Sequence, residues 1–228
     1  MKVAVVVNGE PGGYGFVRYI LEKSDYIIAC DGGLRHCHVL GQVPNCIVGD
    51  LDSVNGLSFT SDFDLNPTNV LVSILDIYRN VPILKYPTEK DQTDLELALD
   101  HACDKGADSI IILCGLGGRF DHQLANAHVL AQPLSRGVHA ELRDEHTKIM
   151  LIKDKCRLHK NDGSLVSLLP LTTTAEGIVT EGLQYPLKGE SLSAGFARGV
   201  SNRIVNEWAE VSVRGGLLLL VQSYGYKT

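Results

Sequence analysis

The chain has 228 residues, with 21 basic and 27 acidic side chains and a formal net charge of −6. This length suits one large domain or two small ones, and a content of 44% hydrophobic and 21% charged residues is ordinary for a soluble globular chain. The acidic excess excludes non-specific binding to nucleic acid or to an anionic membrane surface, and no apolar stretch approaches the roughly 20 residues needed to cross a bilayer.

In the first part of the chain, short apolar runs alternate with helical patterns. The predicted strands are Val3–Val7, Tyr26–Cys30, Cys46–Val48, Val81–Leu84 and Ser109–Cys114, and the predicted helices are Phe16–Lys23, Gly33–Leu40, Thr93–Cys103 and His122–Leu134. In the third helix, Leu95, Ala98, Leu99 and Ala102 recur with the period of an α-helix rather than that of a strand. This alternation predicts a mostly parallel sheet with helices on its faces.

After about Arg143 the helical patterns end and short β-rich runs take their place. These runs are Lys148–Ile152, Ser164–Leu168, Gly177–Thr180, Ala209–Val213 and Leu217–Val221. Threonine, glycine and proline separate them, which is typical of a small all-β sandwich or barrel. We place the boundary near Asp144–Thr147, which gives an α/β domain over residues 1–143 and a β domain over residues 147–228.

The six cysteines show no CxxC pair and no regular spacing. Several lie inside apolar runs, as in Ala29-Cys30 and Ile112-Leu113-Cys114, where a thiol behaves as a small hydrophobic side chain. Unpaired thiols of this kind are typical of a reducing compartment. We therefore expect a cytoplasmic protein.

The first acidic motif is Asp31-Gly32-Gly33, immediately after the predicted strand Tyr26–Cys30. Ligands of open α/β sheets bind beyond the carboxyl ends of the strands, which is where Asp31 is expected to lie. Gly32 and Gly33 would let a bound group approach the backbone closely. The same residues also suit a strand-to-helix turn capped by Asp31, and for the motif alone the turn is favoured.

The second acidic motif, Gly49-Asp50-Leu51-Asp52-Ser53, also follows an apolar run. In an extended chain, residues i and i+2 point to the same side, so Asp50 and Asp52 present paired carboxylates. A bound Mg²⁺ gives a physical reason for two such close like charges, because it prefers oxygen ligands and bridges protein carboxylates to substrate phosphates. The alternative is a solvated loop in which Asp52 caps the following segment, but the position at a strand end favours the metal site.

The third acidic motif, over residues 89–94, leads into the third predicted helix. Asp91 and Asp94 are one helical turn apart, so Asp91 is expected to cap the helix. Asp94 could stabilise the helix dipole or reach the metal site of the preceding motif. Lys90 lies beside them and could neutralise a phosphate.

A glycine-rich turn follows the strand Ser109–Cys114 and contains Gly115, Gly117, Gly118 and Arg119. Its backbone N–H groups, the start of the next helix and Arg119 together form a candidate anion site. The spacing matches neither a Walker A loop nor a dinucleotide-binding GxGxxG. With the three acidic motifs, this turn predicts a magnesium–nucleotide site built from four strand-end loops.

The combination of motifs resembles the thiamine pyrophosphokinase (thiamine diphosphokinase) family. The resemblance rests on Asp31-Gly32-Gly33, Gly49-Asp50-Leu51-Asp52-Ser53, Asp91-Gln92-Thr93-Asp94, Gly117-Gly118-Arg119-Phe120-Asp121-His122, Ser167-Leu168-Leu169-Pro170 and Ser201-Asn202. These segments span nearly the whole chain in family order. The resemblance implies a Rossmann-like α/β domain that binds ATP, a C-terminal β domain, and a homodimer that holds thiamine between its subunits.

The resemblance also implies the roles of individual residues. The implied Mg²⁺ ligands are Asp50, Asp52 and Asp94. The residues implied to contact the nucleotide phosphates or the reacting hydroxyl are Asp31, Arg119 and Asp121. The other residues expected to bind ATP are Gly32, Gly33, Lys90, Asp91, Thr93, Gly117 and Gly118. The residues implied to bind thiamine are Tyr185, which would stack on its pyrimidine, and Ser201 and Asn202, which would hydrogen-bond that ring.

The implied reaction moves the pyrophosphoryl group of ATP intact to the hydroxyl of thiamine, with AMP leaving. Such transfer leaves little covalent work for the protein, so positioning and charge neutralisation dominate. Arg119 would stabilise charge that develops in the transition state. Either Asp121 or Asp31 would accept the proton of the alcohol, and the sequence does not choose between them.

Two other functions compete with this interpretation. Asp50-Leu51-Asp52 also resembles the metal-binding DxD of nucleotide-sugar glycosyltransferases, and acidic clusters serve phosphohydrolases as well. The four-loop pattern and Ser201-Asn202 argue against both enzymes. A non-catalytic sensor of nucleotide or thiamine is the second alternative, and the intact set of carboxylates argues against it.

Overall fold

A computed structural model describes residues 1–53, 58–60 and 71–223. The helices are α1 (Tyr14–Leu21), α2 (Leu34–Val39), α3 (Ile74–Ile77), α4 (Asp94–Asp104), α5 (Phe120–His128) and α6 (Ala131–Ser135). The first eight strands are β1 (Lys2–Val6), β2 (Tyr26–Cys30), β3 (Cys46–Gly49), β4 (Ser58–Thr60), β5 (Leu71–Ser73), β6 (Ile83–Lys85), β7 (Ser109–Leu113) and β8 (His139–Arg143). The remaining strands are β9 (Thr147–Ile152), β10 (Lys155–His159), β11 (Leu165–Pro170), β12 (Thr174–Glu181), β13 (Lys188–Ser193), β14 (Asn202–Arg203), β15 (Trp208–Ser212) and β16 (Leu218–Ser223).

The central feature is a ten-stranded sheet in the order β14-β11-β16-β9-β8-β7-β1-β2-β3-β6. The strands from β8 to β6 in this order are all parallel, whereas β9, β16, β11 and β14 continue the sheet in antiparallel fashion. The expected mostly parallel sheet with flanking helices is thereby confirmed.

The parallel strands are apolar on both faces because helices cover both faces. Along β1, Val3 and Val5 face a core that includes the buried stripe of α4, while Ala4 and Val6 face a core shared with α1 and α2. This alternation follows from the two-residue period of a strand. The apolar stripe predicted for α4 is fully buried, as expected.

The C-terminal part of the chain, from β9 to β16, forms a sandwich. A four-stranded antiparallel sheet, β10-β15-β12-β13, lies over the antiparallel part of the large sheet. Their shared core contains buried side chains from both sheets, among them Met150, Val166, Ile178, Val211 and Leu220. The expectation of a separate antiparallel β unit is thereby confirmed.

The predicted boundary at residues 144–147 falls in the tight turn between β8 and β9. The carboxylate of Asp144 accepts hydrogen bonds from the backbone N–H groups of His146 and Thr147, each at 2.7 Å. Backbone pairing runs across this turn, since β8 and β9 are neighbours in the same sheet. Residues 224–228 of the predicted second domain lie outside the described residues.

Some predicted elements differ from the structure. The helix predicted over residues 122–134 is two helices, α5 and α6. Pro133 cannot donate a backbone hydrogen bond to the preceding turn, and it is tolerated here because it lies in the first turn of α6. Helix α3 and the strands β4, β5, β8, β10, β13 and β14 were not predicted. In the described part of the chain, no helix is long and apolar enough to span a bilayer.

Candidate active site

The topology defines a crevice at the carboxyl edge of the parallel strands. From β1 the chain moves outward on one side through β2, β3 and β6, and it then returns to the other side of β1 with β7 and β8. Open α/β sheets bind ligands where the connections diverge in this way, which is here between β1 and β7. The loops after β1, β2, β3 and β7 all end at this edge.

Asp31 is placed by a strained turn at the end of β2. Its φ of 46° lies in the left-handed region that non-glycine residues rarely adopt, and its side chain is only 8% exposed. A Cβ on Gly33 would overlap the carbonyl oxygen of Val6, and one on Gly32 would overlap the side chain of Asn8. The two glycines therefore let this turn press against the end of β1, so their smallness serves packing.

Asp50 is placed by Gly49, the last residue of β3. Gly49 has a φ of 146°, and a Cβ there would lie 3.1 Å from the Cβ of Asp31 and 3.4 Å from the Cγ of Asp94. The glycine backbone thus lies between two acidic side chains, where the Cβ of a larger residue would crowd Asp31. This close approach brings the β3 end into the same cluster as the β2 end.

Asp94 is the first residue of α4. Thr93 caps this helix, because its hydroxyl accepts the N–H of Glu96 at 3.2 Å while the Glu96 carboxylate accepts the N–H of Thr93 at 2.7 Å. The expectation that Asp91 caps the helix was therefore wrong. The Thr-x-x-Glu signature of a capping box was present in the sequence and would have identified Thr93.

The three carboxylates of Asp31, Asp50 and Asp94 converge, with one oxygen of each lying within 4.8 Å of the others. Lys90 is the cation beside them, its Nζ 2.9 Å from an oxygen of Asp94 and 3.8 Å from one of Asp50. The Lys90 ammonium also donates to the carbonyl of Pro87 at 3.0 Å. One lysine cannot balance three ionised carboxylates, so the cluster has a negative surplus when all are charged.

The electrostatics of the cluster are uneven. Burial raises the pKa of Asp31, although the Ser53 side chain and the Gly32 backbone oppose that rise. The hydrogen bond from the backbone N–H of Asp52 lowers the pKa of Asp50. Burial lowers the pKa of Lys90, but its hydrogen bond to Asp94 and the nearby carboxylate charges outweigh this and raise it overall.

The donor set of the cluster fits a hard divalent cation. All of its ligand atoms are carboxylate oxygens, which Mg²⁺ prefers. In the part of the chain that the structure describes, the buried Oδ1 of Asp31 has no hydrogen-bond partner, so it is available to a cation. The excess of three carboxylates over one lysine also favours binding of a cation.

Asp52 lies beside this cluster with an exposed side chain. Its backbone N–H donates to Oδ1 of Asp50 at 3.1 Å, and its own Oδ1 accepts from the Ser53 hydroxyl at 3.1 Å. The described cation cluster contains Asp31 in its place. Ser53 and Thr88, whose side chains lower the pKa of Asp31 and of Asp50 respectively, were not predicted.

Two glycine-rich loops meet at the crevice. A Cβ on Gly9, in the loop after β1, would overlap the carbonyl oxygen of Cys114 at the end of β7. A Cβ on Gly117 would lie 2.9 Å from the Cβ of Glu10. Gly117 and Gly118 have φ values of 81° and 74°, which favour glycine. Gly9 and Glu10 of the loop after β1 were not among the predicted site residues, although this loop follows an apolar strand as the acidic motifs do.

Arg119 and Asp121 form an exposed ion pair at the start of α5. The guanidinium contacts both carboxylate oxygens, with Nη2–Oδ2 at 2.6 Å and Nε–Oδ1 at 3.2 Å. The hydrogen bond from Arg119 lowers the pKa of Asp121. Both side chains are exposed to solvent at the loop after β7, so they are accessible to a ligand there.

Tyr185 and Asn202, two of the residues assigned to thiamine, lie in the β sandwich. Together with Leu187, Arg198 and Val200 they line a cavity of about 150 Å³. Tyr185 is 64% exposed.

Asn202 is buried, and its side chain forms two hydrogen bonds with the backbone of Tyr185. Its Oδ1 accepts the Tyr185 N–H at 3.0 Å, and its Nδ2 donates to the Tyr185 carbonyl at 2.7 Å. The backbone N–H of Ser201, whose φ is 62°, donates to the hydroxyl of Ser167 at 3.1 Å. Of the three predicted thiamine residues, Asn202 and Tyr185 are thus joined by hydrogen bonds, while Ser201 is bonded to Ser167.

Comparison with protein families gives two matches. The model for the thiamin pyrophosphokinase catalytic domain matches residues 17–142, and the model for the thiamin pyrophosphokinase vitamin B1 binding domain matches residues 155–218. The first of these alone covers more than half of the chain.

Individual relatives agree with the family models. The chain is 30% identical over 140 residues to the thiamine pyrophosphokinase of Bacillus subtilis, an alignment that covers 60% of this chain and 65% of that protein. It is 25% identical over 197 residues to thiamine pyrophosphokinase 1 of Arabidopsis thaliana, covering 77% of this chain and 64% of that protein. The chain therefore spans just under two thirds of the length of these relatives.

Solved structures share the fold. The crystal structure of thiamine pyrophosphokinase from Bacillus subtilis aligns with a TM-score of 0.80 at 24% identity and covers 99% of this chain and 100% of that one. The yeast thiamin pyrophosphokinase aligns with a TM-score of 0.75 at 17% identity, covering 98% of this chain and 86% of that one. At 24% and 17% identity, the similarity to these structures supports the fold of this chain and nothing beyond the fold.

Proposed function

Because the chain belongs to the thiamin pyrophosphokinase family, we propose that it transfers the pyrophosphoryl group of ATP to thiamine with the help of Mg²⁺. The observation that carries this proposal is the convergence of Asp31, Asp50 and Asp94 at the carboxyl edge. The cluster lies beside two glycine-rich loops at the topological switch point, where a nucleotide is expected.

In the proposed reaction, the hydroxyl oxygen of thiamine attacks the β-phosphorus of ATP. A new oxygen–phosphorus bond forms, and the bond from the β-phosphorus to the oxygen it shares with the α-phosphorus breaks. AMP leaves, and thiamine diphosphate is the other product. The hydroxyl proton passes to a carboxylate, for which Asp31 and Asp121 are both candidates.

Asp50 and Asp94 would hold Mg²⁺, with Asp31 as the third ligand supported by geometry and Asp52 as the ligand predicted from sequence. When bound, this ion neutralises charge on the phosphate oxygens. Lys90 would pair with a phosphate oxygen from its place beside Asp94. Arg119 would stabilise negative charge that develops during transfer.

The roles proposed for the glycines differ from one another. Gly117 and Gly118 would leave backbone N–H groups accessible to ATP. Gly32 and Gly33 would act through the turn that carries Asp31, and Thr93 would act through the start of α4. Asp91 stays a predicted ATP contact.

Thiamine would lie against Tyr185, Ser201 and Asn202. The exposed ring of Tyr185 supports a stacking role, since an exposed aromatic face is available to a flat ligand. We also propose a homodimer, which the exposed Phe196 and Val205 of the β sandwich support, and a cytoplasmic location, which the unpaired cysteines support.

Product analysis tests the proposed function. The purified chain is incubated with ATP, thiamine and Mg²⁺, and the products are separated by chromatography. We expect AMP and thiamine diphosphate in equal amounts, and formation at least about 100-fold slower with Asp50→Asn. Formation of ADP or free phosphate would point to a kinase or a phosphohydrolase and would overturn the proposal.

A further inference from the structure

The loop after β1 is held by the first turn of α2. The guanidinium of Arg35 donates from Nη2 to the carbonyl of Asn8 at 3.1 Å, and the Nε2 of His36 lies 2.9 Å from the carbonyl of Gly9. A carbonyl oxygen only accepts hydrogen bonds, so Nε2 of His36 carries the proton. Two successive carbonyls of the loop are therefore fixed from the same helix.

The other nitrogen of His36 completes the arrangement. The hydroxyl of Tyr14 lies 3.0 Å from Nδ1, and because neutral imidazole accepts at that atom, the tyrosine donates. His36 is only 2% exposed, and its burial lowers its pKa, which favours the neutral ring. Both polar atoms of a buried histidine are thus used to connect α2 with the β1 loop and with α1.

Fixing the carbonyls also fixes the donors of the same peptide groups. In a trans peptide the N–H points opposite to the C=O, so the N–H groups of Gly9 and Glu10 point away from α2. Within the described ranges, neither N–H donates a hydrogen bond to the protein. The Cα of Gly9 also packs against the carbonyl of Cys114, so this peptide is confined from two sides.

We propose that His36 is a positioning residue, which with Arg35 and Tyr14 holds the N–H groups of Gly9 and Glu10 ready for the phosphate chain of a nucleotide. Successive backbone N–H groups of this kind bind anions, and these lie at the switch point between β1 and β7. The inference rests on the proposed function for its ligand, ATP. His36 follows Asp31 by one and a half helical turns, so one segment serves both the cation cluster and the loop.

The inference is tested by ATP binding in the absence of thiamine, measured by isothermal titration calorimetry on the full chain. Three variants are compared: His36→Leu, which removes both hydrogen bonds; His36→Gln, which retains a donor for Gly9; and Tyr14→Phe, which removes only the hydroxyl. His139→Leu is the control, because His139 is exposed at the start of β8, at the opposite edge of the sheet. Steady-state KM values for ATP and thiamine, and the melting temperature, are recorded alongside.

We expect His36→Leu to weaken ATP binding about tenfold, which is the effect of losing roughly one net hydrogen bond. The KM for thiamine should stay unchanged, His36→Gln should recover most of the affinity, and His139→Leu should bind ATP normally. If His36→Leu lowers only the melting temperature or kcat while its ATP affinity is unchanged, His36 is a core residue and the inference is overturned.

The outcome is separable from that of the proposed function. If the unaltered chain binds ATP but releases no AMP with thiamine, the proposed function fails, and the comparison of variants still decides the role of His36. If the unaltered chain binds no ATP, both fail.

Discussion

Gly49 passes directly against Asp31, such that a Cβ on Gly49 would lie 3.1 Å from the Cβ of the aspartate. The φ of 146° at Gly49 is itself disfavoured for other residues. The absence of one side chain therefore lets the ends of β2 and β3 bring two carboxylates together. The cation cluster depends on this glycine as much as on its acids.

Gly49→Ala should lower both stability and turnover. We expect a loss of about 1–3 kcal/mol in the free energy of unfolding from backbone strain, and a turnover at least about tenfold lower because the carboxylates are pushed apart. Gly41→Ala is the control, since Gly41 also has a positive φ of 63° but no neighbour among the described residues within 4 Å of an added Cβ. Denaturant unfolding measures the loss of stability, and initial rates measure the loss of turnover. An equal loss of turnover in Gly49→Ala and Gly41→Ala would contradict the role of Gly49.

Replacing the individual carboxylates should lower turnover to different extents. Asp50→Asn and Asp94→Asn each remove a charge from the cluster and should lower kcat at least about 100-fold. Asp52→Asn should also lower kcat if Asp52 joins the metal site, while its backbone N–H still donates to Asp50. Turnover of Asp52→Asn at the unaltered level would remove Asp52 from the ligands and leave Asp31 as the third.

Arg119→Gln should affect turnover without affecting stability. The Arg119–Asp121 pair is exposed, so its loss should leave the melting temperature unchanged, whereas a role in charge stabilisation predicts a kcat about 100-fold lower. Arg136→Gln is a matched control because Arg136 pairs with Asp104 at the same distance of 2.6 Å at the far end of α4. Equal activity in the two variants would exclude Arg119 from the reaction.

Asn202→Ala should release the backbone of Tyr185. Three part-buried backbone groups, the N–H and carbonyl of Tyr185 and the N–H of Arg203, lose their partner, at a cost of up to about 1–3 kcal/mol each if they stay unpaired. We expect a lower melting temperature and a raised KM for thiamine, with the KM for ATP unchanged. Tyr185→Phe keeps the aromatic ring and the two hydrogen bonds from Asn202 to the backbone, so it should retain most of the thiamine affinity. A similar rise in the KM for thiamine in both variants would argue against stacking as the role of Tyr185.

His36 should make the stability of the fold depend on pH. Burial lowers its pKa in the folded chain below the ordinary value near 6.5, and the charges of Arg35 and Glu10 act on it in opposite directions. The unfolded chain then binds a proton first as the pH falls. The contribution of His36 to the free energy of unfolding should therefore be complete above pH 6.5 and should be lost as the pH falls below 6.5. For one proton, the free energy of unfolding decreases by at most about 1.4 kcal/mol per pH unit.

Denaturant unfolding at a series of pH values measures this slope. His36→Gln has no titrating group at this position and should show a flatter profile below pH 6.5. Profiles that run parallel in the two proteins would show that another group causes the acid sensitivity.

Long apolar runs and a clear helical period made much of the α/β half predictable. β1, β2, β3 and β7 are buried on both faces, so their sequences are almost continuously apolar. The strand β8 was missed because Glu141 and Arg143 interrupt its apolar pattern, and these two charges form an ion pair at 3.1 Å. A mostly buried ion pair of this kind gives the same sequence pattern as an exposed strand.

The sequence predicted which aspartates belong to the candidate site, but it did not predict how they are arranged. The sequence places Asp31, Asp50 and Asp94 at the same edge of the sheet, because parallel strands end there together. Whether Asp31 or Asp52 turns toward Asp94 depends on the packing of Gly33 on Val6 and on the depth at which each strand ends. Neither is visible without the neighbouring strand.

Intact transfer of the pyrophosphoryl group can be followed with ATP labelled at its β-phosphorus. The labelled ATP is incubated with the chain, thiamine and Mg²⁺, and the position of the label in the products is determined. We expect all of the transferred label in thiamine diphosphate, at the phosphorus attached to the thiamine oxygen, with unlabelled AMP as the other product. Label retained in ADP, or released as phosphate or pyrophosphate while thiamine stays unmodified, would contradict intact transfer.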